Sequence, residues 1–242
     1  MAPQSPVRRL RWGLALVLAI PVLQGAGIEV QSQRPPERRM PDPVELRPEP
    51  TDAAQKAIRD ARGRRFDMRG GSPVTELPTD VQTLVAITHP PPLPALPVAE
   101  SSLVLIGQVE EVQPYLSSPS KTRVYTEYGV HIEIVFKNMP ASPVVEGSKI
   151  IADRLGGVVR LPSGRVITAT VRRRNLPLLG HRYVFFLKEN VELGSFTILS
   201  AYEIVEGVVF PLDEEAGSDR PQPYFGADSE SLIADLKKAI NP

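Results

Sequence analysis

Residues 124–136 read VYTEYGVHIEIVF, and this stretch decides the fold class. Val124, Thr126, Tyr128, Val130, Ile132, Ile134 and Phe136 share one parity, while Tyr125, Glu127, Gly129, His131, Glu133 and Val135 share the other. Alternation with period two is the signature of a strand with one face in a core and one wet. The run is long enough to bend around a barrel, and Gly129 is the natural place for the bend.

Working outward, Leu103–Val112 is a second run of strand formers, with Gly107 inside it marking a bulge or a close backbone approach. Lys149–Arg154 follows, closed by Gly156 and Gly157. Val158–Leu161 and Arg165–Val171 flank Pro162-Ser163-Gly164, a hairpin connection whose glycine can take positive φ. Arg182–Lys188, Phe196–Val205 and Val208–Leu212 complete the set. About seven strands without an intervening helical pattern predict an all-β domain over 101–213, a small OB-like barrel or a sandwich. Residues 214–227, rich in Gly, Pro and acids, read as a loop. A helix follows over 228–240, capped by Asp228 or Ser229, with Leu232, Leu236 and Ile240 in one stripe.

The N-terminal hundred residues have a different character. Arg8, Arg9 and Arg11 precede the uncharged apolar run Trp12–Leu23, and Gly25, Ala26 and Gly27 follow. That order is the layout of a secretory signal, so residues 1–27 are expected to be a signal peptide. The alternative is an uncleaved anchor through residues 12–23, although a bilayer span needs about 20 residues. Proline, at 26 residues, is used about twice as often as average, and 16 of the prolines fall before residue 100. Residues 28–100 therefore read as a mostly extended proline-rich spacer, with a short helix near 52–62 capped by Thr51 or Asp52. The arginines at 59, 62, 64, 65 and 69 read as a solvated helix end whose cations suit the macrodipole, ahead of a headgroup-docking role. The periodic prolines Pro91, Pro94 and Pro97 suit a polyproline II spacer.

Composition excludes several classes of function. The 28 basic and 28 acidic residues cancel, which removes the case for a nucleic-acid partner held by excess positive charge. Cysteine is absent, which excludes disulfide scaffolds, cysteine zinc sites, thiol nucleophiles and cysteine-linked lipid.

The order Gly107-Gln108-Val109, Val124-Tyr125-Thr126, Val135-Phe136-Lys137-Asn138, Gly147, Gly156-Gly157 and Gly180 to Leu187 resembles a group of exported bacterial proteins of uncharacterised function. It is also similar to the OB-like barrel of the netrin and metalloproteinase-inhibitor modules. The resemblance covers Ser101 to Asp213 and rests on glycine and apolar positions, so it implies a fold. Those inhibitor modules present an N-terminal cysteine to a catalytic metal and use disulfides. This chain has neither, so the inhibitory mechanism is not carried over and no residue takes a family role.

Candidate chemistry is sparse. His131, Glu133 and Glu127 share one strand parity, and i, i+2 neighbours lie roughly 7 Å apart, which a metal could bridge. The simpler reading is the wet face of an amphipathic strand. Glu110 and Glu111 are adjacent, so in a regular strand they point to opposite faces and form no carboxylate dyad. Arg160, Arg165, Arg172, Arg173 and Arg174 offer a patch for an anion or acidic partner, or a charged hairpin edge that deters strand addition. No GxSxG elbow, HExxH pair or phosphate-binding glycine loop is present, and no cofactor is implied. The expectation is an exported, non-enzymatic module, periplasmic or extracellular, that binds a protein or glycan of the cell envelope. The alternatives are a metal-assisted hydrolase using the His131/Glu133 face and a loop-based protease inhibitor.

Overall fold

The computed structural model describes residues 40–68, 70–86, 93–138, 143–213 and 223–241. The expected signal segment, Arg69, Pro91 and most of the 214–227 loop lie outside the described residues. Among the described residues no helix is long and apolar enough to cross a membrane. In chain order the elements are β1 (Val44–Glu45), α1 (Ala53–Arg64), β2 (Thr83–Ala86), β3 (Leu103–Leu116), β4 (Val124–Lys137), β5 (Lys149–Leu155), β6 (Gly157–Arg160), β7 (Val166–Val171), β8 (Arg182–Asn190), β9 (Ser195–Val205), β10 (Val208–Pro211), β11 (Ala227–Asp228) and α2 (Ser229–Ile240).

Five of these strands close a barrel. β3 pairs antiparallel with β4 and β8, β4 with β5, and β8 with β9, while β5 and β9 run parallel at Ala152↔Phe196 and Asp153↔Thr197. The ring β3-β4-β5-β9-β8 is a five-stranded barrel of the OB kind, which decides barrel over sandwich. Tyr128, Val130 and Ile132 of β4 point inward to meet Leu105, Phe185 and Ile198. The uninterrupted apolar run of β8 is explained by burial on both faces. Tyr183, Phe185 and Leu187 fill the barrel, whereas Val184 and Phe186 lie outside it under Leu232 and Leu236 of α2. α2 is capped by Asp228, whose side chain accepts from Ser231 N.

Of the three register shifts between β3 and β4, two modify the expected faces. The β3–β4 register shifts between Ile106 and Gly107, where a Cβ on Gly107 would lie 2.6 Å from the His131 carbonyl oxygen. Beyond this shift the parity of β4 inverts, so Ile134 is exposed and Val135 packs on the core, opposite to the simple alternation. A second shift between Val109 and Glu111, opposite Gly129, turns both Glu110 and Glu111 outward. Both carboxylates reach Lys149, at 3.0 and 2.9 Å, so the expectation that they face apart is corrected.

The predicted hairpin is present but leaves the barrel. β6 and β7 form the centre of a second sheet, ordered β1-β6-β7-β2, over a small core that includes Val124, Val159 and Ile167. Its outer strands come from the segment expected to be a spacer. Val44 and Glu45 pair in parallel with Val159 and Arg160, and residues 83–86 pair with 168–171. That expectation is corrected for the described part of 40–86. Strands of two and four residues between prolines satisfy their backbone groups on a sheet edge without an apolar pattern long enough to read.

Candidate functional site

The expected metal constellation separates in the structure. Glu127 accepts from Arg62 at 3.2 Å, Glu133 accepts from Arg182 Nε at 2.6 Å, and His131 Nδ1 lies 4.0 Å from Glu110. Among the described residues no three His, Asp or Glu side chains gather where a metal could be held. The arginine patch disperses in the same way. Arg160 pairs with Glu45 at 3.0 Å, and Arg165 donates to the carbonyls of Val74, Leu77 and Pro78. Arg172 and Arg173 stay exposed in a tight turn, with Arg173 at φ 63°. Arg174 turns to the buried Arg154–Asp213 pair, where burial and the Arg154 charge hold its pKa down and Asp213 opposes them.

A different cluster forms on the outer face of β4 and β5. Tyr125 and Glu127 are on the outward parity of β4, and the register sets Glu127 directly across from Asp153. Tyr115, at the end of β3, lies beside Tyr125 with ring centroids 5.6 Å apart. β3 runs on to this point through Pro114, whose missing N–H is tolerated because β8 pairs only with 103–108. The loop 117–123 between β3 and β4 and the turn Val191–Gly194 between β8 and β9 border the face.

α1 lies across it. Asp52 caps the helix, accepting from Gln55 N at 2.8 Å, and the arginines that follow are spaced by three. The Arg59 guanidinium sits 4.5 Å above the Tyr115 ring. Arg62 bridges Glu127 and the Leu193 carbonyl, each at 3.2 Å. Arg65, just past the last helical turn, pairs with Asp153 and donates to Thr197 at 3.1 Å. Phe66 stacks on Tyr125, with centroids 4.8 Å apart and planes inclined by 18°. Beside the face, Asp60 accepts from Ser118 at 2.8 Å, and Asp67 accepts from Ser117, Thr122 and the Ser120 N–H. Gly63 permits this approach, because a Cβ there would stand 2.9 Å from Ser118 N.

Electrostatics follow from burial. Asp153 is fully buried, and desolvation raises its pKa against the opposing pull of Arg65 and of hydrogen bonds from Thr197 and Ser195. Glu127 is likewise raised by burial, with Arg62 opposing. Among the described residues the buried Tyr125 hydroxyl has no hydrogen-bond partner, and desolvation pushes its pKa up. The arrangement is suited to holding cations and flat rings.

Reading the arginines as a solvated helix end is therefore corrected for Arg59, Arg62 and Arg65. The signal that could have revealed them is their spacing of three, ending in Phe66, set against the outward tyrosine and glutamate of β4. No protein-family model, no curated protein and no solved structure matches this chain.

Proposed function

We propose that the chain is an exported, non-enzymatic binding module of the cell envelope or extracellular space. Its partner is a protein or glycan, taken on the outer β4–β5 face and the two loops beside it. One observation carries the reading: Tyr115, Tyr125, Glu127 and Asp153 converge on the face spanned by the second and third strands of an OB-type barrel. OB-type barrels take ligands on that face and on the loops between strands one and two and strands four and five. The arginine-then-apolar order of residues 8–23 supports export.

The test is in the native host, with a photo-crosslinking residue in place of Val191, which is exposed on the bordering turn, and a control in place of exposed Lys237 on α2. Mass spectrometry reads the N-terminal peptide and the adducts of the fractionated envelope. A chain beginning near Ile28 with a reproducible adduct at 191 and none at 237 supports the proposal. Retention of Met1 to Gly27 refutes cleavage and export in free form, and absence of any adduct at 191 refutes the binding role.

A further inference from the structure

α1 and α2 are both amphipathic helices of similar length, yet they are held by different forces. α2 buries Leu232 and Leu236 completely, as a helix belonging to a core does. α1 buries only Gly63, and its Ile58 is 50% exposed. What fastens α1 to the β4–β5 face is a row of guanidinium contacts and one stacked ring, made to groups that the barrel positions by itself, while Asp60 and Asp67 tie its flank to the loop 117–123. Asp153 is fixed in β5 and accepts from Thr197 at 2.9 Å and Ser195 at 3.3 Å, both from β9. Glu127 is set opposite it by strand register. The Leu193 carbonyl belongs to the β8–β9 turn.

From this asymmetry we infer that the β4–β5 face is a receptor for an arginine-bearing helical segment, and that α1 is its resident intramolecular occupant. The inference rests on the binding role proposed above and names the ligand class. A fitting partner is a basic helix with arginines at i, i+3 and i+6 and an aromatic residue immediately after the last. The first arginine lies on Tyr115, the second on Glu127, the third on Asp153, and the ring on Tyr125. A carboxylate pair flanked by two tyrosine rings selects guanidinium over ammonium, because the planar group can both stack and donate in parallel. Being tethered, α1 competes at an effective concentration of order millimolar, so an external helix gains the face only when α1 is weakened or outcompeted.

The probe is a labelled synthetic peptide of residues 52–68, followed by fluorescence anisotropy against the full chain. The full chain carrying Arg62→Ala and Arg65→Ala should bind it at least about tenfold more tightly than the unaltered chain, since the competitor has lost its anchors. Adding Asp153→Asn should remove that gain, and a scrambled peptide of equal charge should bind neither form. Equal binding of true and scrambled peptides, or no gain in the opened chain, overturns the inference. If the opened chain does not fold, hydrogen exchange on the unaltered chain decides. Millimolar peptide should speed exchange of the α1 amides while the barrel strands stay protected, and unchanged α1 exchange overturns the inference. A photo-adduct at position 191 together with failure of the peptide leaves the binding role standing and removes only the arginine-helix ligand. Loss of both removes the face itself.

Discussion

Replacing Arg65 with alanine removes the cation from a carboxylate that has no access to water. Asp153 is 0% exposed, while the Arg65 side chain is 27% exposed, so the substitution opens the cation's site and leaves the anion buried. Breaking a buried pair from one side costs about 3–5 kcal/mol. Two hydroxyl donors, Thr197 at 2.9 Å and Ser195 at 3.3 Å, remain on Asp153, which places the expected loss near 3 kcal/mol at neutral pH. With a urea slope of roughly 2 kcal/mol per molar, the midpoint falls by about 1.5 M. Adding Asp153→Asn to the same chain should recover at least half of the loss, because position 153 then carries no unpaired buried charge. Burial raises the folded pKa of Asp153, and losing Arg65 raises it further. Between the unfolded value and that raised value the native state holds a proton that the unfolded chain lacks. The deficit must therefore shrink as pH is lowered through the window just above the ordinary aspartate range. A midpoint change under about 0.3 M, or a deficit that does not shrink as pH is lowered from neutral towards the ordinary aspartate value, would contradict this.

Three other outcomes follow from the same structure. Gly107→Ala places a methyl 2.6 Å from the His131 carbonyl oxygen and 2.7 Å from Val130 Cγ1, so urea unfolding should show a loss of about 1–3 kcal/mol, and a neutral result contradicts the close approach. Leu236→Ala empties a fully buried position under α2 and should cost about 2–5 kcal/mol, whereas a loss below about 1 kcal/mol means that α2 is not docked. At Asp67, burial pushes the carboxyl pKa up, but hydrogen bonds from Ser117, Ser120 and Thr122 outweigh it and hold the pKa below the usual range. Its stabilising contribution is complete above the unfolded aspartate value and disappears as pH falls through the lower folded one, and a carboxyl-carbon NMR titration at or above the ordinary value contradicts this.

Much of the barrel is legible in the sequence because its strands satisfy two rules at once. β4 alternates up to the Ile106–Gly107 bulge, and β8 is apolar on both parities because barrel and helix bury both of its faces. The inversion at Ile134 and Val135 and the common side taken by Glu110 and Glu111 were hidden, since an extra residue on one strand is a property of a pair of strands. β1 and β2 were hidden for a related reason: parallel edge pairing uses backbone groups and leaves little side-chain pattern. In the candidate site, Glu127 was legible as an outward residue of β4, whereas its partner Arg62 lies 65 residues earlier in a helix docked by charge. Hydrophobic periodicity reports burial of apolar faces and carries no record of such a contact. The separation of His131 and Glu133 has the same origin, each taking a neighbour from another strand, Glu110 of β3 and Arg182 of β8.

Hydrogen exchange across the intact chain tests most directly whether the β4–β5 face is a binding face with a removable occupant. We expect α1 amides to exchange through a partial opening of lower free energy than the amides of β3, β4, β5, β8 and β9, and Arg62→Ala and Arg65→Ala to lower that opening energy while the barrel amides still exchange only with global unfolding, whose free energy falls by the loss given above for Arg65→Ala. Exchange of α1 only with global unfolding, at the free energy of the barrel strands, would contradict the claim and make α1 a permanent part of the fold.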